Sequence, residues 1–280
     1  MTSPQFDPRL AACPLCHGVH VRPFDRDHNG ITIDRCADCR LMFMNPPYTD
    51  AHLDHYYSTY INEDERTGNE PEEKHRQKRA AFDLITRYKQ TGRFLAIGCG
   101  SGLELEIARE LGFTPEGYDV DPATTREVSQ RIGVPVHSGD FAALNLPDAS
   151  FDVLFLDQVL EHPKDPGGYL KQIHRLLKDD GVVYFGVPNL DSFSAQLKGL
   201  QGRLGLKNRS RGSHYDTGHH LFYYQPAVLR RILETHYDFQ VLTVAGDPRV
   251  TISPLRYRWA RRMHQLCSRF AVVARKRPRS

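Results

Sequence analysis

FLAIGCGSGL, residues 94–103, joins a short apolar strand to a helix through glycines at alternate positions, Gly98, Gly100 and Gly102. Phe94, Leu95, Ala96 and Ile97 suit a buried strand. Leu103, Ile107, Ala108 and Leu111 then recur at helical spacing until Gly112, a residue type that readily ends a helix. A turn without Cβ atoms can fold tightly and let a ligand lie against its backbone, with the free N–H groups of the helix start facing it. Such a turn also occurs as a plain connection in α/β proteins. A dinucleotide fingerprint would place its third glycine one residue later, where Leu103 stands, so the spacing points to a different nucleoside.

Downstream, strand patterns alternate with helical ones. Residues 114–121, TPEGYDVD, form a second strand with Asp119 at its far end, 21 residues after Gly98. A carboxylate there faces the glycine turn and can accept both hydroxyls of a ribose. Residues 134–137 form a third strand, after which Asp140 and Phe141 suit the edge and face of an adenine ring. Residues 151–156 form a buried fourth strand whose carboxyl end is 157–162. A helix over 169–177 stops at Gly181, and 182–187 is a fifth strand broken by Pro188 and Asn189. This alternation implies right-handed crossovers, a parallel sheet and ligands at the carboxyl ends of its strands.

Residues 191–224 interrupt the pattern. Lys198, Arg203, Lys207, Arg209 and Arg211 read as a solvated face, whereas His214, Tyr215, His219, His220, Tyr223 and Tyr224 concentrate acid/base groups beside aromatics just past a strand end. At least one of these belongs to a pocket. Pro226 opens a helix over 226–233, and strands at 239–244 and 270–274 close the domain. Between them RYRWARRMHQLCSRF, residues 256–270, reads as a basic helix, either a solvated face or a contact for an anionic partner.

Upstream, Cys13, Cys16, Cys36 and Cys39 form two CxxC pairs around the turn-rich DRDHNG stretch. This is the spacing of a four-thiolate zinc ribbon, whose closed ligand set leaves zinc a structural role. His17 and His20 are surplus to that set and read as surface residues. LMFMNPPY is an apolar strand ended by prolines. Tyr48, Tyr56, Tyr57 and Tyr60 follow, either packing the ribbon on the main domain or, for one or two of them, walling a substrate pocket. A helix over 74–88 leads to the first strand. The expected organisation is a zinc ribbon over 1–48, a tyrosine-rich linker and helix over 49–92, and an α/β domain over 93–280.

At 280 residues, with 40% hydrophobic and 25% charged residues, the chain can build one large α/β domain and a small module. A net charge of +3 permits nucleic acid without demanding it. With no membrane-length apolar run and no signal-peptide core at the N-terminus, the expectation is a cytoplasmic protein that uses its cysteines as metal ligands or buried thiols.

The chain resembles the class I S-adenosylmethionine-dependent methyltransferases, in particular small bacterial ones with an N-terminal zinc ribbon. The resemblance rests on IGCGSG (97–102), YDVDP (118–122), FDVLFLDQVLEH (151–162), LLKDDGVVYFGVPN (176–189) and HLFYYQPAVLRRIL (220–233), in this order. It implies a Rossmann-like sheet of seven strands, mostly parallel with the last antiparallel. S-adenosylmethionine would place its methionine and ribose parts on Gly98, Gly100 and Gly102 and its ribose hydroxyls on Asp119. The adenine would lie between Asp140 and Phe141, and Asp157 would lie near the methionine moiety and the acceptor. Ala96 departs from the pattern, which carries an acidic residue at that position. The reaction implied is in-line attack by an acceptor atom on the sulfonium methyl. His220, with His219 behind it, would take the proton of a hydroxyl acceptor or orient another, and Tyr60 and Tyr223 would help bind the substrate. A small-molecule or sugar-type acceptor is expected; an RNA methyltransferase with a zinc module and a non-catalytic cofactor-binding scaffold are the alternatives. The oligomeric state stays open.

Overall fold

The structure, a computed structural model, describes residues 5–27, 29–60, 72–203, 215–246 and 264–278. Alternate residues of β4 (Gly92–Ile97) enter opposite apolar clusters, Phe94 and Ala96 on one face, Leu95 and Ile97 on the other. Both faces of this strand are therefore covered, as a central parallel strand requires. Its neighbours are β5 (Phe113–Tyr118) and β7 (Phe151–Asp157), both parallel to it. Beyond them lie β6 (Val136–His137), beside β5, and β8 (Leu177–Pro188), beside β7, again parallel. The last strand, β11 (Arg269–Lys276), runs antiparallel to β8 and to β10 (Phe239–Gly246). The order β10-β11-β8-β7-β4-β5-β6 is the expected seven-stranded sheet with its last strand reversed. The chain moves outward through β5 and β6, then crosses back to β7, so the switch point lies between the carboxyl ends of β4 and β7.

The N-terminal strands β1 (Val21–Arg26), β2 (Thr32–Cys36) and β3 (Met42–Met44) form a second, antiparallel sheet. Its fourth strand comes from far along the chain: β9 (Phe222–Tyr223) pairs with β3. Buried side chains reinforce this seam. Asp27 accepts Thr217 Oγ1 at 2.6 Å, the Tyr48 hydroxyl donates to Thr217 O at 2.8 Å, and the Tyr237 hydroxyl donates to Leu15 O at 2.9 Å. Tyr48 thus takes the packing role open to it.

The helices are α1 (Asp50–Tyr60), α2 (Glu72–Ile85), α3 (Leu103–Glu110), α4 (Pro122–Ile132), α5 (Pro166–Leu176), α6 (Phe193–Arg203) and α7 (Pro226–His236). Phe82 of α2 stacks on Phe94 at 5.4 Å and on Phe155 at 5.7 Å, which fixes α2 over the centre of the sheet. In α4, Asp121 caps the N–H groups of Ala123 and Thr124 ahead of Pro122, the usual N-terminal pairing of a cap with proline.

Two expectations change. The helix expected over 169–177 begins at Pro166, capped by Asp165, and the chain passes into β8 at Leu177, which pairs with Phe151. Gly181 is no helix stop: a Cβ there would lie 3.0 Å from Phe151 O and 2.8 Å from the Leu177 side chain, so glycine permits close strand approach. The interruption at 191–224 contains α6, which sequence patterning read as loop. Residues 247–263, with most of the expected basic helix, lie outside the described residues, as do His214, Lys207, Arg209 and Arg211. Among the described residues, no helix is long and apolar enough to cross a membrane.

Candidate functional site

The glycine turn leaves β4 at the switch point, and its glycines have different work. All three are left-handed, with φ of 72°, 45° and 77° at Gly98, Gly100 and Gly102. A Cβ on Gly98 would meet Val159 Cγ2 at 2.5 Å, and one on Gly102 would meet Ile132 Cδ1 at 2.4 Å, whereas one on Gly100 would point into open space. Gly98 and Gly102 let β7's exit loop and α4 pack closely, and Gly100 presents bare backbone to whatever binds. Its N–H donates to Asp119 Oδ2 at 2.9 Å, while Asp121 N–H donates to Oδ1 at 3.1 Å. Burial pushes the Asp119 carboxyl up, opposed by these two bonds. The glycine turn and the carboxylate expected to share a ribose are therefore joined directly.

The adenine and methionine expectations need correction in part. Asp140 is exposed and caps a short 3-10 turn, accepting Ala142 N–H at 3.0 Å. The Phe141 ring is wholly buried, 5.0 Å from Tyr118 and 4.8 Å from Tyr169, because that turn folds it under α5. Its face is spent on the core, and Asp140 is what stands open. Asp157 is likewise enclosed. Lys78 Nζ lies 3.0 Å from it, Arg269 bonds its other oxygen, and Lys78 also reaches Glu104 at 3.6 Å. Burial pushes the Asp157 carboxyl up, but Arg269 and Lys78 together outweigh it and bring it down to about 2. Ala96 lies in the apolar cluster of Phe82, Phe94 and Phe155. Buried carboxylates instead lie around the turn: both Asp119 and Glu104 act on the buried Cys99 thiol, which desolvation already pushes up.

On the other side of the glycine turn, Val159, packed on Gly98, begins a tight turn in which His162 N–H bonds Val159 O. His162 meets His219 at 5.1 Å between ring centroids and His220 at 5.0 Å, and the latter two lie 4.3 Å apart. Tyr56 of α1 stacks on His219 at 5.1 Å, and Tyr57 stands edge-on to His162 at 6.1 Å. Burial, reinforced by the neighbouring histidines, lowers His162 to about 3; burial and His219 do the same for His220, and burial lowers His219. Each shift favours the neutral imidazole.

In the N-terminal module, Cys13, Cys16, Cys36 and Cys39 place their sulfurs within 4.8 Å of one another. The Cys13–Cys39 and Cys16–Cys36 separations are 3.5 and 3.6 Å. Tetrahedral thiolates at about 2.3 Å from a zinc ion would be about 3.8 Å apart, so the four fit such an ion with little movement.

A family described as methyltransferase domain matches residues 73–244. The chain belongs to that family. It is 36% identical over 101 residues to the "Probable S-adenosylmethionine-dependent methyltransferase" of Mycolicibacterium smegmatis, covering 36% of this chain and 39% of the relative. It is 28% identical over 189 residues to the ubiquinone biosynthesis O-methyltransferase of Caulobacter vibrioides, covering 65% and 69%. Among solved structures, the Burkholderia thailandensis 1,6-didemethyltoxoflavin-N1-methyltransferase with bound 1,6-didemethyltoxoflavin and S-adenosylhomocysteine superposes with a TM-score of 0.55 at 18% identity, covering 87% of this chain and 99% of that one. The [4+2]-cyclase SpnF superposes with 0.52 at 19% identity, covering 71% and 80%. These structural likenesses establish the fold alone.

Within this methyltransferase-family chain the remaining expected site residues fall apart. Tyr223 is buried in β9, its hydroxyl donating to His220 O at 2.8 Å, so it supports the histidine loop from beneath. The backbone of Tyr60 ends α1, and its side chain lies outside the described residues. Residues not foreseen include Lys78, Glu104, Arg269, His162 and Glu161, whereas Tyr56 is among the tyrosines expected to pack or to wall a pocket. Glu161 is fully buried, its carboxylate oxygens meet no hydrogen-bond partner among the described residues, and burial pushes it up to about 8. The LEH triplet closing the fourth-strand motif was the available signal for Glu161 and His162. Lys78 and Arg269 gave none, because their partner Asp157 lies far off in sequence.

Proposed function

We propose that the chain transfers a methyl group from S-adenosylmethionine to a hydroxyl or amine of a small-molecule or sugar-type acceptor. The observation that carries this reading is the packing of Val159 on Gly98, which joins the open backbone of the cofactor turn to the histidine cluster through a single tight turn. The cofactor supplies an activated methyl when bound. Gly100 and Asp119 would hold its ribose side, Asp140 would meet the adenine edge, and Glu104 and the Lys78–Asp157–Arg269 set would fix the charges near its methionine end. The acceptor would lie among Tyr56, His162, His219 and His220, which exclude water and align it with the sulfonium. Relatives named as O-methyltransferases favour oxygen, and the neighbour named as an N1-methyltransferase keeps nitrogen open. Residues 1–48 would act as a zinc ribbon that braces the acceptor loop, residues 49–92 as the connecting segment and 93–280 as the catalytic domain. Ala96, at a position where the resemblance implies an acidic residue, favours a second reading, in which the cofactor is bound without transfer.

The test is incubation with methyl-labelled cofactor and fractionated extract, followed by His220→Ala. The variant should keep cofactor affinity and lose at least about tenfold in methylation. Cofactor binding with no labelled product from any fraction would establish the second reading, and unchanged turnover would remove His220 from the reaction.

A further inference from the structure

We propose that His162, His219 and His220 form a binding site for one divalent transition-metal ion, separate from the cysteine cluster. Each histidine offers one ring nitrogen, and the three nitrogens lie within 4.8 Å of one another. Nitrogens held tetrahedrally at about 2.0–2.1 Å from an ion would be about 3.4 Å apart, so small ring rotations complete the set.

The rings come from two segments pinned together by main chain. Leu221 and Phe222 N–H both donate to Glu161 O, at 2.9 and 3.1 Å, and hold residues 219–220 against 161–162. His162 Nδ1 faces the His219 carbonyl at 3.4 Å. A ring nitrogen tied to a carbonyl sets the tautomer and turns the other nitrogen toward an ion, the outer-shell pattern of metal-bound histidine. Tyr56 and Tyr57 restrict the rings from the α1 side.

Three imidazoles with no carboxylate among them suit zinc, iron(II), cobalt, nickel or copper; magnesium and calcium prefer oxygen. Three ligands also leave a coordination position open, which the four cysteines do not. A hydroxyl acceptor bound there would ionise more readily, its proton passing to solvent. The oxygen lone pair would then form the O–CH₃ bond as the S–CH₃ bond breaks, with that electron pair staying on sulfur to give the thioether. This catalytic use rests on the methyl-transfer reading above; the ion site does not.

Full-length protein, first loaded with Zn²⁺ at its cysteines, is titrated with Co²⁺. One further equivalent should bind without a thiolate-to-cobalt charge-transfer band. Its affinity should fall at least about tenfold in each of His162→Gln, His219→Gln and His220→Gln and hold in His17→Gln and His20→Gln. Unchanged Tm and S-adenosylhomocysteine affinity certify that the variants fold. Half-buried His219 is the variant least exposed to a folding defect, and its result stands if the others misfold. No second equivalent in the wild-type protein, or uptake indifferent to all three substitutions, would overturn the site. Full-rate methylation by protein that takes up no second ion would overturn the site and leave the methyl-transfer reading standing. A second equivalent bound as expected, with no transfer to any acceptor, would sink that reading and leave the site.

Discussion

The cysteine quartet and the histidine trio both border the seam between the small sheet and the large one, and they are built on opposite principles. The cysteines come in two local pairs, are almost wholly buried apart from Cys16, and saturate any tetrahedral ion they hold. The histidines are brought together by tertiary structure, His162 lying 57 residues from His219, are only half-buried, and leave room for a further ligand. Closed local clusters hold a fold together; open non-local ones can act on something else. The two are mechanically joined, because Thr217, two residues before His219, is held by Asp27 and Tyr48 of the N-terminal segment.

The contrast breaks most visibly at the cysteines. If the quartet holds zinc, Cys39→Ser should abolish zinc uptake and lower Tm by more than about 10 °C, because metal binding and folding of such a module are one free energy. Thermal melts with and without a chelator check this. A chelator-insensitive wild-type protein whose Tm matches the variant's would deny the quartet its structural role.

Next in size is the Lys78–Asp157–Arg269 ion-pair set. Asp157→Asn leaves Lys78 and Arg269 without their shared carboxylate in a buried site, which should cost about 3–5 kcal/mol in denaturant unfolding. The folded-state value of Asp157 is depressed to about 2, so its contribution is complete above about pH 4, the range of an unperturbed aspartate. That contribution fades as pH falls toward about 2, and the gap between wild type and variant should close over the same interval. A gap independent of pH would mean that Asp157 is not ionised in the fold.

Asp119→Ala should weaken cofactor binding by at least about tenfold while moving Tm by only a few degrees, since its partners are the Gly100 and Asp121 N–H groups beside an open turn. Calorimetric titration with S-adenosylhomocysteine separates the two effects, and unaltered affinity would take the ribose role from Asp119.

How far each region was legible follows from the same contrast. The glycine turn, Asp119 and the four cysteines were readable because their geometry is local: a strand tip, a helix start, two knuckles. Phe141 was misjudged because pattern shows that an aromatic follows a strand, whereas the side on which its ring lands depends on Tyr118 and Tyr169. The trio was half legible. His219 and His220 stood out in an aromatic-rich stretch, but His162 looked like the end of a strand motif until β9 brought the two segments together. Residues 222–223 gave no sign of being a strand, since their pairing partner Met42–Phe43 lies in the N-terminal module.

The smallest expected effect tests the joint itself. Thr217→Val removes the hydroxyl that donates to buried Asp27 at 2.6 Å and keeps the side-chain shape. Asp27 retains its bonds from the Asn29 and Ile31 N–H groups, so the loss should be only about 1–2 kcal/mol. Zinc content should not change, because the cysteines do not depend on this loop. If the seam positions the histidines, methylation should fall by more than the stability loss explains at a temperature where the variant is fully folded. An acceptor KM that rises with cofactor affinity unchanged would locate the effect at the trio. If activity simply follows the folded fraction, the two clusters share a seam without one positioning the other.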